Sequence, residues 1–427
     1  MKILSLTSLF PNNVNPVFCV FIKERVRYLA KLHDLRVVAP VPYFPKIHLH
    51  RRWHEYSLVK SHEYIAGMKI YHPRYLITPR VGMAFYGLLY FLSILHFMRR
   101  LNREYPFDLL DAHYIYPDGL AAVLLAKVLK KPVVLSARGT DINVFTTFPL
   151  IRSWIAYALK SCHHIIAVSG ALKDRMVRAG IDAHKIDVVP NGVDVERFRP
   201  IPKSKAREML GLHRGETMLL SVGSLRPTKG IQYLLLALAK IKKLQRAPGL
   251  KLYIIGDGKY RASLERQIAQ LGLQSCVKLT GRIAHEQLYK WYNAADLFCL
   301  PSAREGWPNV IMESLACGLP VLATNVGGVP EIVVSQKYGL LVEASEGSRL
   351  VDQLQDGILQ GLRREWDREG MVAYAHKNTW DKAAQRIDGI FKQTLDGWRR
   401  GLGSRDSGDD RHVCGERQPK RETQAPL

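Results

Sequence analysis

The chain has 427 residues, 47% apolar and 23% charged, with a formal net charge of +24. This length and composition allow two domains with separate cores and exclude disordered, collagenous and disulfide-stapled classes. The charge favours anionic partners such as phosphates, acidic lipid headgroups or nucleic acid, but no zinc-finger spacing, RNA-binding aromatic motif or recognition-helix pattern accompanies it, which sets nucleic acid aside.

The first six residues are too short an apolar run for a signal peptide and read as a strand. Short apolar runs then alternate with helical patterns, the signature of a doubly wound parallel sheet. In the first half the strands are expected at 3–6, 35–39, 109–112, 133–136, 165–168 and 187–189. This half carries more than its share of the basic excess: residues 1–200 hold 28 of the 62 Lys and Arg but 14 of the 38 Asp and Glu. Residues 81–98 form a nearly uninterrupted apolar run after Lys46, Arg51, Arg52, Lys60, Arg74 and Arg80. It is at the lower limit for a membrane span, which would split the domain; a buried helix or one lying on an anionic membrane surface are the other readings. Residues 190–202 are rich in turn formers and read as a linker. A second series follows at 218–222, 252–255, 277–279, 297–300, 321–323 and 340–342. The expected domains are therefore 1–195 and 196–375, with a helix over 376–398 and a disordered polar tail over 399–427. Two successive Rossmann-like units imply a cleft between them at the carboxyl ends of the strands. The six cysteines show no C-x-x-C pair, as expected of reduced cytosolic thiols.

The densest chemistry lies at Glu305-Gly306-Trp307-Pro308-Asn309-Val310 and Glu313. Glu305 falls in a turn after a strand, and a helix is expected from Asn309 to a stop at Gly318. Glu313 is then about one turn inside a helix whose free N–H groups face the loop. A helix start favours phosphate, and ionised carboxylates accept hydroxyl groups, so the pattern suits a phosphate flanked by sugars. The plainer reading is a loop solvator and a helix-terminal charge. Arg226 and Lys229 project from another strand-to-helix turn, where cations can neutralise a leaving diphosphate or simply be solvated.

These residues resemble the E-x7-E signature of the retaining glycosyltransferases of family 4, and the resemblance extends over roughly residues 1–395. It implies a GT-B architecture of two Rossmann-like domains. It also implies that Glu305 holds the hydroxyls of the transferred sugar and Glu313 the ribose, with Lys229, Arg226 and the Asn309 helix start on the diphosphate. Gly306, Trp307, Pro308 and Val310 belong to the same motif and so to the donor site. Ser224 stands where the family usually has Arg, with Arg226 two residues later. Gly256 resembles the family's G-x-G segment, and Arg282 follows the strand near the base. The Asp111-Ala-His113 segment is similar to the family's Asp-x-His beside the transferred sugar, although a histidine at a strand end is often structural. Arg138-Gly-Thr-Asp141 matches the family's His-Gly-x-Asp loop, with Arg138 for His; an arginine could hold an anionic acceptor or the donor phosphates but cannot act as a base. The usual Gly-Gly loop after the first strand is here built from Asn and Pro.

The resemblance implies sugar transfer from a UDP- or GDP-sugar to a saccharide or lipid-linked acceptor with retention, in exopolysaccharide or cell-envelope synthesis, at the inner face of the plasma membrane. No cofactor and no metal is expected, since there is no Asp-x-Asp motif or metal-ligand spacing. The alternatives are a nucleotide-sugar 2-epimerase on the same scaffold and a degenerate nucleotide-sugar-binding subunit.

Overall fold

The structure, a computed structural model, describes residues 1–43, 51–77, 82–213, 215–247, 249–345 and 347–406. The first sheet has eight strands. In spatial order they are Ile186–Val188, His164–Ala167, Val133–Ala137, Leu109–His113, Lys2–Leu6, Asp34–Val38, Met68–Tyr71 and His62–Ile65. All pair in parallel except His62–Ile65, which runs antiparallel to its neighbour. Those last two strands were not expected from the sequence. They form a hairpin at the sheet edge and are only four residues each, too short for their alternation to stand out in the sequence. The second sheet has six parallel strands in the order Val277–Gly281, Leu250–Ile255, Thr217–Val222, Leu297–Leu300, Val321–Thr324 and Gly339–Val342.

Both faces of each sheet are covered, which explains the continuous apolar runs. Leu4, Leu110 and Leu135 turn to one core, while Ile3, Leu109 and Val134 turn to another on the opposite face. Successive residues of the second sheet divide in the same way, Met218 and Leu220 from Leu219, and Phe298 from Leu297.

The apolar run at 81–98 becomes the helix Tyr86–Glu104, preceded by a short turn over Met83–Phe85, while Val81 lies outside the described residues. Tyr90, Ile94, Met98 and Leu101 are buried, and Gly87 lets the helix approach Leu120. Its outer face still exposes Phe85 and Leu92. No helix among the described residues is long and apolar enough to cross a membrane. Of the basic residues before it, Arg74 is spent internally, donating to the carbonyls of Tyr56 and Val59, so it is not free for a membrane surface. Lys60 is exposed, and Lys46 and Arg80 lie outside the described residues.

The chain crosses between the domains twice, side by side. Val193 bridges Thr379, and any side chain on Gly192 would overlap the backbone at Trp380. The second crossing leads into the helix Trp380–Asp406, which packs Trp380, Ile387, Ile390 and Phe391 against the first domain. This helix begins at Trp380 and runs past 399, where the tail was expected to start; Ala383, Leu395 and Trp398 continue its apolar spacing. Residues 407–427 lie outside the described residues. Cys19, Cys162, Cys276, Cys299 and Cys317 are all free thiols.

Candidate active site

The carboxyl ends of both sheets face one another. On the second domain's side the loop after Thr217–Val222 carries Ser224 and Arg226, both exposed, and ends at Lys229. Its path depends on close backbone approaches: a Cβ on Gly256 (φ +144°) would overlap the carbonyl of Gly223, and one on Gly230 (φ +70°) the carbonyl of Pro301. Lys229 Nζ donates to Glu305 Oε1 at 2.6 Å, with their side chains 26% and 10% exposed. The Arg226 carbonyl accepts from Lys229 N–H, while its guanidinium has no hydrogen-bond or ion-pair partner among the described residues. Arg282 is exposed just after the strand Val277–Gly281.

The helix Asn309–Ala316 starts at Pro308 with no side-chain cap and no acidic residue in its first turn, so apart from Ile311 N–H, which donates to the Pro308 carbonyl, no protein group among the described residues compensates its start. Val310 packs against the second domain's core. Trp307 packs against the cores of both domains, and its buried Nε1 has no acceptor. Gly306 touches the first domain: a Cβ there would overlap the carbonyl of Arg138.

Glu313 meets two side chains of its own domain. Its carboxylate is buried, with Oε1 accepting from His285 Nε2 at 2.7 Å and Oε2 from the Tyr292 hydroxyl at 2.8 Å. Arg197 Nη1 donates to His285 Nδ1 at 3.0 Å, so the ring carries its proton on Nε2, towards Glu313. The same Arg197 lies 3.6 Å from Asp194, which also meets Arg27 of the first domain at 3.3 Å. Glu313 is thus tied to the interdomain linker.

On the first domain's side, Asp111 and His113 lie at the end of Leu109–His113, both fully buried. Arg138 Nη2 donates to His113 Nδ1 at 2.7 Å, which leaves the proton on Nε2, 3.0 Å from Asp111 Oδ2. Burial, helped by Arg138 and Arg25, outweighs Asp111 and lowers the His113 pKa to about 4. Burial works the other way on Asp111, but His113, Arg25 and Arg138 outweigh it and hold its pKa at about 2. His113 is therefore neutral at pH 7 and Asp111 ionised. Asp141 shapes its own loop: its oxygens accept from the N–H groups of Ile115, Arg138, Gly139 and Ile142.

Sequence reasoning missed the residues that join the two walls. Asn191, 5% exposed in the linker, accepts from Arg138 Nη1 at 2.9 Å and donates to Asn309 Oδ1 at 3.1 Å. A chain of hydrogen bonds thus runs from the first residue of the Asn309 helix to His113. Glu331 of the second domain accepts from Gly170 N and Ala171 N, at 2.7 and 2.9 Å, at the start of the helix Gly170–Arg178. Gly327 and Gly328 allow that segment to lie on the backbone of Glu305 and Gly306. The signal for this turn was Gly-Gly-Val-Pro-Glu after a strand, with Pro in the first helical turn. Asp118 was also missed: it is fully buried, and Ser8 donates to it through both N–H and hydroxyl. Burial, only partly offset by those donors, raises its pKa to about 7.

Paired Rossmann-like domains whose strand ends meet across such a cleft define the GT-B fold. The sequence matches the family described as Glycosyltransferase Family 4 over residues 20–197 and that described as Glycosyl transferases group 1 over 202–377. The chain belongs to this family. It is 31% identical over 363 residues to TuaC of Bacillus subtilis, a glycosyltransferase assigned to teichuronic acid biosynthesis, covering 83% of this chain and 88% of that protein. It is 30% identical over 308 residues to the GDP-mannose-dependent alpha-(1-6)-phosphatidylinositol monomannoside mannosyltransferase of Mycobacterium tuberculosis, covering 70% and 77%. In fold it is similar to the sucrose-phosphate synthase of Thermosynechococcus elongatus (TM-score 0.72, 18% identity, 93% and 100% covered). It is also similar to Anabaena HepE in complex with UDP (TM-score 0.69, 20% identity, 92% and 100% covered).

Proposed function

We infer that this glycosyltransferase moves a sugar from a UDP- or GDP-sugar to an acceptor hydroxyl with retention of anomeric configuration, in cell-envelope or exopolysaccharide synthesis. The observation that carries the reading is the Lys229–Glu305 pair at 2.6 Å, between the unpartnered Arg226 and the uncapped start of the Asn309 helix. In this reading Arg226, Lys229 and that helix start stabilise the diphosphate as its leaving oxygen gains charge. Glu305, oriented by Lys229, holds sugar hydroxyls. His113 offers no base at pH 7: it is neutral, and its one unprotonated nitrogen already accepts from Arg138. That favours a front-face reaction in which the departing diphosphate takes the acceptor proton. Glu313, oriented by His285 and Tyr292, holds the ribose on the nucleoside side of the cleft. The cations carry the neutralisation, and no metal is assigned to the step.

Both donor bases stay open, since one relative is named GDP-mannose-dependent and one structural neighbour is held with UDP. A membrane-proximal acceptor is supported by the exposed Phe85 and Leu92 and by the basic first half. The test is turnover of a radiolabelled nucleotide-sugar with the anomer of the product read by NMR. Retained configuration, lost with Glu305→Ala while the fold persists, supports the reading. Inverted product, epimerised nucleotide-sugar, or binding without turnover would replace it with another.

A further inference from the structure

This inference rests on the retaining-transfer reading and names a chemical feature of its substrate. Buried polar atoms without partners concentrate on the first domain's wall of the cleft: Arg25 Nε and Nη2, Asp111 Oδ1, His113 Nε2, Ser136 Oγ and Arg138 Nε. Arg25 is the most exposed to cost, because an unpaired buried charge is expensive. It lies in the helix Val20–Leu29 and is 2% exposed. Side chains lean towards the N-terminus of their helix, which carries Arg25 to the cleft end of the sheet. There its nearest acid is Asp111 Oδ1 at 3.9 Å, beyond hydrogen-bond range.

Asp111 offers Arg25 only Oδ1, and only at that distance. Its other oxygen accepts from Ser5 Oγ at 3.1 Å and faces His113 Nε2 at 3.0 Å. Asp141, the other acid near Arg138, is turned to main-chain N–H groups. Arg25 and Arg138 therefore share one carboxylate across a neutral histidine. Phe21 lies 5.8 Å from the Arg138 guanidinium carbon and shields it from water. The backbone of Arg138 lies against Gly306, next to Glu305, and its guanidinium reaches the Asn309 helix through Asn191, so this charge borders the donor wall. In the transfer reading the diphosphate already has Arg226 and Lys229. A planar guanidinium matches a planar carboxylate in a two-pronged bond.

We propose that Arg138, backed by Arg25, forms a binding position for a sugar carboxylate, so that the enzyme handles a uronic acid. The carboxylate belongs to the donor sugar or to the acceptor residue beside it. Titration calorimetry on the full chain separates these sources. One arm compares UDP-glucuronate with UDP-glucose and GDP-mannuronate with GDP-mannose. The other compares methyl glucuronoside with methyl glucoside at saturating UDP and at saturating GDP.

The expected result is at least about tenfold tighter binding of the charged sugar in one arm, the size of a charge-assisted bidentate bond. Arg138→His and Arg25→Gln should each cut that ratio below about threefold, as only one of two guanidinium groups remains. If Arg25→Gln does not fold, Arg138→His carries the test. Equal affinity for charged and neutral sugars in both arms overturns the proposal, as does a preference that survives Arg138→His. If no nucleotide or nucleotide-sugar binds at all, it is the transfer reading that fails, and this position falls with it.

Discussion

Replacing Lys229 with Met separates what its ion pair does for the fold from what it does for the reaction. The pair is short at 2.6 Å, but the lysine side chain is 26% exposed, and the methionine keeps most of its length. Partly solvated pairs of this kind contribute only about 0–1 kcal/mol to stability. Glu305, at 10% exposure, keeps access to water after the substitution. Melting temperature should therefore fall by no more than about 4 °C, allowing roughly 2–4 °C per kcal/mol for a chain of this size. The rate is another matter. A preorganised charge aimed at a developing oxyanion contributes about 10²–10³ in kcat. Steady-state transfer by Lys229→Met should show that loss, with a smaller change in KM. The double variant Lys229→Met with Glu305→Gln should lose less than the product of the single losses, because the two groups act as a unit. A Lys229→Met enzyme within about threefold of wild-type kcat would refute this placement of the leaving group.

Three further outcomes follow from the buried groups. The fold favours neutral His113, whose pKa drops from 6.5 to about 4, so its contribution is full above pH 6.5 and is lost as pH falls towards 4; about 3 kcal/mol is at stake, read as a smaller pH slope of unfolding in His113→Gln over that window. Asp118 has the opposite sign: the fold favours its protonated form, with a pKa of about 7 against 3.8, so its stability is lost as pH rises through that range. Asp118→Asn should gain melting temperature relative to wild type between pH 5 and 8, and a constant difference would contradict the shift. Glu331→Ala should remove the acceptor for Gly170 and Ala171 and weaken domain closure by about 1–3 kcal/mol; small-angle scattering should show a larger radius of gyration, and an unchanged one would contradict the clasp.

Much of this architecture was legible because parallel strands buried on both faces leave continuous apolar runs, as at 109–112 and 218–222. The hairpin His62–Ile65 with Met68–Tyr71 was not, since strands of four residues, one of them with no buried residue, are too short to carry a periodic signal. The Glu305 loop and Lys229 were visible as motifs, and the structure brings them into contact. Their partners were not visible, because contact between domains depends on the angle at which two crossings set them. Nothing local marks Asn191 as the link between Arg138 and Asn309, or Glu331 as an acceptor 160 residues from Ala171. Glu313 shows the converse: a helix position indicates which way a side chain can point, but not that His285 and Tyr292 occupy it.

The most direct test of the central claim is binding of UDP- and GDP-sugars to the full-length chain, measured by calorimetry and repeated with Lys229→Met and Arg226→Gln. The account predicts saturable binding of one nucleotide class, weakened in both variants by about tenfold or more through loss of a charge-assisted contact to phosphate. Absence of binding by either class at millimolar concentration, or binding indifferent to both substitutions, would contradict it.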